Sequence, residues 1–266
     1  MTDPVDCQAD YLLLINPELD ATRAEASFKP LADWALSVNG SYTFNTAPSW
    51  LTFFNAEITG NVRLRSLEQK DHLQANYSPQ PVGIPGTPAS RLVPAENFAT
   101  PESRKALVDA ISQGLNQAHF KQILISSPYR YSKTHGGEDV SYTPAWRNTI
   151  WHVVTGFFWN YNTDMSTVKK LYQASSAAIQ PVRDLTPGSG AYHAEADVHE
   201  PGHEGETSST ATPSLDSLVF PLASFWGSNY ARLLQIKQKY DPNGLLDCWH
   251  CVGWKGADDG RYSCHV

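Results

Sequence analysis

The chain has 266 residues, of which 41% are hydrophobic, 18% charged and 11% aromatic, with a formal net charge of −7. That length fits one large or two small domains, and the aromatic content disfavours wholesale disorder. Twenty-seven acidic against 20 basic residues leave no cationic footprint for a phosphate backbone, so nucleic acid is not an expected partner. No apolar run approaches the roughly 18 residues of a membrane span.

The chain starts abruptly. Met1-Thr2-Asp3-Pro4 carries neither the basic nor the apolar region of a secretory signal, and the run Tyr11-Leu12-Leu13-Leu14-Ile15 predicts a strand over 9–16. Residues 18–38 predict a helix, with Phe28, Leu31, Trp34, Ala35 and Val38 at helical spacing, Pro30 in the first turn and Gly40 as the stop. Residues 42–54 read as extended, and the proline-dense stretch 78–95 as a long surface loop. Thr100-Pro101-Glu102 is a helix start: a hydroxyl cap, a proline suited to the first turn and an acid that complements the dipole. Leu107, Val108, Ile111 and Leu115 then form one stripe. A short strand is predicted over 121–126, and a polar glycine loop over 132–142.

The run 147–159 is β-rich and crowded with aromatics, including Trp151, Phe157, Phe158 and Trp159, with Trp146 just before it. Alternate residues of a strand point to opposite faces, so one face can pack on helices while the other lines a pocket. A helix follows from Asp164 and is expected to stop at Pro181; another is expected from Ser224 to Asp241-Pro242. Neither a dinucleotide fingerprint nor a phosphate-binding loop follows any strand. The fold class expected is α+β, an antiparallel or mixed sheet covered on one face by helices.

Three constellations invite chemistry. His199-Glu200-Pro201-Gly202-His203 has the letters of a zinc-protease motif, but Pro and Gly lie inside the helix that motif needs, so a chance match is preferred. His193, Glu195, Asp197 and His199 alternate, and on a strand they would share one face. A polar strand edge lining a pocket, or a solvated face, is preferred there over a metal site. Cys248-Trp249-His250-Cys251 has thioredoxin-like spacing without the strand-to-helix setting, so packing or a local disulfide is preferred. Four cysteines allow three pairings and leave the redox compartment open.

The C-terminal third is more specific. Gly190-Ala191-Tyr192-His193-Ala194-Glu195-Ala196-Asp197, Glu200-Pro201, Phe225-Trp226-Gly227-Ser228-Asn229-Tyr230-Ala231-Arg232-Leu233, Lys239-Tyr240-Asp241-Pro242 and Cys251-Val252-Gly253 together resemble the berberine-bridge segment. That segment closes FAD-linked oxidases of the vanillyl-alcohol-oxidase superfamily, the fungal members especially. Pro144-Ala145-Trp146-Arg147-Asn148, Trp151-His152-Val153 and Ser90-Arg91-Leu92-Val93 resemble the same family's substrate domain. The resemblance implies a substrate-domain-like region over 1–189 and a berberine-bridge-type segment over 190–266, without the family's FAD-binding domain. It implies FAD as cofactor, a small-molecule substrate and docking to a flavin-binding domain. It also implies a base on the sheet that removes a substrate proton while hydride passes to flavin. Tyr142 is the candidate for that role, with His152 as the alternative; no acid stands where some relatives place one, although Glu138 and Asp139 are close. Tyr192, Glu195, Asn229 and Tyr230 are the expected flavin contacts, and Ala194 departs from the Asn common in relatives.

The function implied is FAD-linked oxidation or oxidative cyclisation of a small metabolite of fungal secondary metabolism. A non-catalytic binding protein or partner subunit is the alternative. In relatives the Glu-Pro pair is soon followed by Phe-Trp-Gly, whereas here residues 202–223, rich in Ser, Thr, Gly and Glu, intervene. This stretch has the character of an insertion or a retained intron. If it is an intron, the mature transcript lacks its codons; sequencing a message that contains them rejects that origin.

Overall fold

The computed structural model describes residues 20–59, 85–125, 127–135, 140–201 and 224–254. The predicted strand at 9–16, Glu138, Asp139, the stretch 202–223, and Cys7, His203 and Cys264 lie outside the described residues. The chain divides into two units, residues 1–82 and 83–266.

In the first unit, α1 (Ala21–Ser37) begins where the Asp20 carboxylate accepts from the amides of Thr22 and Arg23. Pro30 lies inside this helix, not in its first turn. Asn39 takes the left-handed position (φ 60°), and the Gly40 amide then reaches back to the Ala35 carbonyl at 2.8 Å. Residues 42–54 are not all extended. The Ser49 hydroxyl accepts from the Thr52 amide and starts a short α2 (Trp50–Phe53), followed by a π-helical turn (Phe54–Thr59). A capping hydroxyl three residues ahead overrides the β-preference of the aromatics around it. Trp34, Leu36, Trp50 and Leu51 of this unit are exposed.

The second unit is built on three antiparallel strands in the order β1 (Gly86–Pro94), β3 (Thr149–Phe158), β2 (Phe120–Leu124). The expectation of an α+β fold with an antiparallel sheet is met. The expected loop over 78–95 is corrected at its second half, which is β1. Pro88 is tolerated because β1 is an edge strand, where a missing N–H can face away from the ladder. The predicted glycine loop over 132–142 is also corrected at its start, where α4 (Tyr129–His135) is helical.

Thr100 caps α3 (Pro101–Leu115) as read from the sequence, its hydroxyl accepting from the Ser103 amide while the Ser103 hydroxyl accepts from the Thr100 amide. Asp164 caps α5 (Met165–Leu185) in the same way through the Thr167 amide. This helix does not stop at Pro181 but runs one turn further. A mid-helix proline removes one backbone bond, yet the turn after it carries Val182 and Arg183, both buried, and their contacts outweigh the local loss.

α3 and α5 cover one face of the sheet. Ala89, Val93, Val153, Leu107, Ala110, Ile111, Ile179 and Val182 form the core between them, with Trp151 and Ile123 packed against it. The two helices approach so closely at Gly114 that a Cβ there would lie 2.0 Å from the Ala178 carbonyl oxygen. Ser90, Leu92, His152 and Val154 point to the opposite face, because the register pairs Ser90 with Val154 and Leu92 with His152.

The segment after α5 runs along the free edge of β1 and then onto that second face. The Ser189 hydroxyl donates to the Leu92 carbonyl at 2.7 Å, and the Leu92 amide donates to the Gly190 carbonyl at 2.9 Å. The Tyr192 amide donates to the Ser90 hydroxyl at 3.1 Å. The segment's end is held by charge. Arg183 pairs with Asp197 at 2.5 Å and with Glu200, and Arg91 reaches the other Glu200 oxygen at 3.4 Å. The Arg91 Nε and Nη2 groups donate to the Thr186 hydroxyl and carbonyl, and the Ser176 hydroxyl donates to Asp197. Both carboxylates have fully buried side chains. Burial pushes the Arg91 guanidinium down to about 10, Glu200 opposing the shift and Arg183 adding to it.

Two cations and two anions are thus desolvated together, and removing one leaves a buried charge without its partner. Glu200→Ala is expected to cost about 3–5 kcal/mol of folding stability. Removing the exposed Lys105–Asp109 pair (2.6 Å) with Lys105→Ala should leave the urea midpoint essentially unchanged. Equal midpoints for both variants would refute the structural role of the buried cluster.

Candidate active site

His152 sits at the middle of β3, almost fully buried at 3% exposure. Its ring is flanked edge-on by Trp146 at 5.2 Å and Tyr192 at 5.7 Å, and those two rings contact each other at 5.8 Å. Trp146 comes from the 3₁₀ turn Pro144–Asn148, which leads directly into β3; the Thr143 hydroxyl accepts from the Ala145 amide at its start. Tyr192 precedes a second 3₁₀ turn, His193–Glu195. The expectation that His193, Glu195, Asp197 and His199 share a strand face is therefore corrected: the segment is pulled into turns by its bonds to Ser90, Arg183 and Thr186-bound Arg91, so alternation does not apply.

This 3₁₀ turn directs Glu195 at His152. The Glu195 Oε2 and His152 Nε2 atoms lie 3.7 Å apart, and both are buried without a hydrogen-bond partner among the described residues. Burial pushes the His152 imidazolium down to about 4 and the Glu195 carboxyl above its usual range. Desolvation thus works against the charged form of each partner, and no hydrogen bond links the two facing atoms among the described residues.

The other sequence-derived residues fall at different distances from this centre. Tyr142 is part-exposed just before the Pro144–Asn148 turn. Asn229 donates its amide nitrogen to the carbonyls of Val140 at 3.0 Å and Tyr142 at 2.8 Å, so it fastens the Tyr142 loop. The Tyr230 hydroxyl, at the start of α6 (Tyr230–Tyr240), accepts from the Gly253 amide at 3.3 Å. Gly190 brings this assembly close: a Cβ there would lie 2.4 Å from the Ser224 carbonyl oxygen, which accepts from the Ala191 amide.

Glu200 is held by Arg183 and Arg91, and the His199 ring packs edge-on against Tyr172, so the described part of the protease-like letters, 199–201, is not helical. Cys248 and Cys251 form a local disulfide, as preferred from the sequence. The sequence marks Trp146 as one aromatic among several and as part of the Pro144–Asn148 motif, but not as a site residue. Its position three residues before the strand, where a 3₁₀ turn folds the ring back over His152, is what singles it out.

Comparison with known proteins follows this geometry. Residues 220–248 match the family described as berberine and berberine like. The FAD-linked oxidoreductase cheF of Chaetomium globosum is 30% identical over 250 residues, 92% of this chain and 34% of that protein. The chain belongs with the fungal vanillyl-alcohol-oxidase/berberine-bridge-like family. The FAD-linked oxidoreductase ffsJ of Aspergillus flavipes is 40% identical over 129 residues, 48% of this chain and 18% of ffsJ. Among solved structures, the VAO-type flavoprotein MtVAO615 of Myceliophthora thermophila C1 shares the fold with a TM-score of 0.62 at 20% identity, covering 89% of this chain and 37% of that one. This berberine-bridge-like chain spans about a third of the length of cheF and MtVAO615.

The facing pair has a measurable signature. Unfolded histidine titrates near 6.5, and the folded His152 value lies below it at about 4. The unfolded state therefore binds more protons between those values, and this contribution to stability is lost as pH falls from about 6.5 towards 4. Glu195 acts oppositely: its raised value contributes stability at low pH that is lost as pH rises through it. In Glu195→Gln the histidine contribution stands alone, so urea midpoints should rise with pH from about 4 to 6.5. The His152 ring should titrate near 4 by NMR in the parent chain; a midpoint near 6.5 contradicts this assignment.

Proposed function

We propose that the chain forms the substrate-binding and proton-accepting part of an FAD-linked oxidoreductase acting on a small organic metabolite. The observation that carries this reading is the facing of His152 Nε2 and Glu195 Oε2, buried and unpartnered beside Trp146 and Tyr192. Two polar atoms left without partners in an apolar, aromatic-walled place are ready to meet a hydroxyl or amine of a ligand. The naming of cheF and ffsJ as FAD-linked oxidoreductases supports the redox class.

FAD, when bound, supplies the hydride acceptor. The residues present fit such a group in part. Tyr192 is about 41% exposed while its ring packs at right angles to that of His152. Glu195 stands beside it on the following turn. Asn229 and Tyr230 act behind these two; with the Asn229 amide nitrogen engaged, a flavin contact from that residue runs through Oδ1.

Neutral His152 takes the substrate proton, since an imidazole held deprotonated by burial has its acceptor lone pair free for use. Glu195 Oε2 stands 3.7 Å from His152 Nε2 and faces the imidazolium as it forms. Tyr142 stands at the exposed side as a second hydroxyl for orientation. Exposed Tyr240, Leu245 and Leu246 beside the end of α6 form an apolar set suited to docking of a flavin-binding domain.

Titrating the whole chain with FAD tests the reading. The expected result is quenching of flavin fluorescence and flavin absorption bands that follow the protein through gel filtration, both weakened in Tyr192→Ala. A colourless chain that leaves FAD fluorescence unchanged overturns it in favour of a non-catalytic binding protein.

A further inference from the structure

The turn that carries Tyr192 and Glu195 also carries His193, which points the other way. Its ring packs on Phe225 at 5.1 Å and on Trp226 at 5.2 Å. Beyond these rings lies the Cys248–Cys251 disulfide, and a His193 ring nitrogen and the two Sγ atoms all lie within 4.8 Å of one another. Three ligand atoms of one imidazole and two cysteines therefore converge from two segments more than fifty residues apart in sequence. Cys248 is exposed, so a reductant has access to the bond.

From this juxtaposition we propose that His193, Cys248 and Cys251 form a thiophilic divalent-metal site that opens when the disulfide is reduced. The chemistry is balanced as follows. A dithiol or phosphine reductant delivers two electrons to the S–S bond, which breaks to give two thiols while the reductant is oxidised. A zinc-class cation then displaces both thiol protons and is bound by two thiolates and the neutral imidazole, the fourth position being left to water.

The geometry is within reach. Zinc bonds of about 2.3 Å to sulfur and about 2.0–2.1 Å to imidazole nitrogen place tetrahedral ligand atoms within about 4 Å of each other. The two-residue spacing between the cysteines is that of half a zinc knuckle. Oxidised, the same two sulfurs are bonded to each other and offer no thiolate. The disulfide and the metal are thus alternative cross-links, and only the second includes the turn on which Tyr192 and Glu195 stand. This inference does not rest on the oxidoreductase reading.

The test uses the full chain, reduced anaerobically with a phosphine and freed of it, then titrated with Co²⁺. One equivalent should bind, with near-ultraviolet thiolate-to-cobalt charge-transfer bands and visible d–d bands, and Zn²⁺ should bleach them. The unreduced chain should show no such bands, and Cys248→Ser or Cys251→Ser should abolish them. Outer-shell changes alone weaken metal sites about 10–100-fold, so loss of the imidazole in His193→Ala should weaken binding at least about 100-fold. His193→Cys should restore a site with a third thiolate, which separates loss of a ligand from loss of fold. Absence of cobalt bands in the reduced chain, or equal affinity in His193→Ala, overturns the proposal.

Discussion

Arg183, Arg91, Asp197 and Glu200 meet where none of them could remain charged alone. Each anion is fully buried, and each cation is almost so. Desolvating such groups costs several kcal/mol per ion, recovered only if the partners are held in good hydrogen-bonding geometry. The cluster therefore tolerates one arrangement. Arg91 belongs to β1, Arg183 to the last turn of α5, and the two carboxylates to the segment that follows the His193–Glu195 turn. Fixing those four groups fixes three pieces of chain against each other, and the backbone bonds from Ser90 and Leu92 to the returning segment become satisfiable as a consequence.

The electrostatics of the candidate site follow from that clamp. Glu195 is brought to His152 by a segment tied down on both sides, at Tyr192 by Ser90 and at Asp197 by Arg183. With its backbone so placed, the carboxyl is held at 3.7 Å from the imidazole without completing a hydrogen bond. The nearby guanidinium charge is already matched by Asp197 and Glu200, so the site itself has no fixed charge to stabilise an ionised Glu195 or His152. Desolvation then works against the charged form of both groups.

How far this was legible varies with the range of the forces involved. α3 could be read because its determinants are local: the Thr100 cap, Pro101 and one apolar stripe. β3 could be read as extended, with one face towards helices and one towards a pocket, because its period is two. β1 was hidden by Pro88, since whether a strand lies at a sheet edge depends on neighbours that no local pattern reveals. The continuation of α5 past Pro181 was hidden for the same reason: what supports it is Arg183 binding carboxylates 14 and 17 residues away. The apparent alternation of His193, Glu195, Asp197 and His199 misled because long-range bonds, not a ladder, shape that segment. The family resemblance did identify the segment and His152 as functional candidates, but not that Glu195 faces His152.

The register of two strands decides which residues meet. Arg91 points to the helix side of β1, where Thr186 and Glu200 receive it; its neighbour Leu92 must then point to the other side. Pairing of Leu92 with His152 places the imidazole on that same side, away from the helices and under Tyr192. A one-residue slip between β1 and β3 would break this pairing and turn an imidazole towards a core of Val93, Ile179 and Leu107. The ion cluster resists such a slip, because moving Arg91 breaks its contacts with Glu200 and Thr186. The side of the sheet on which proton chemistry can occur is thus set from the opposite side, by charges that take no part in it.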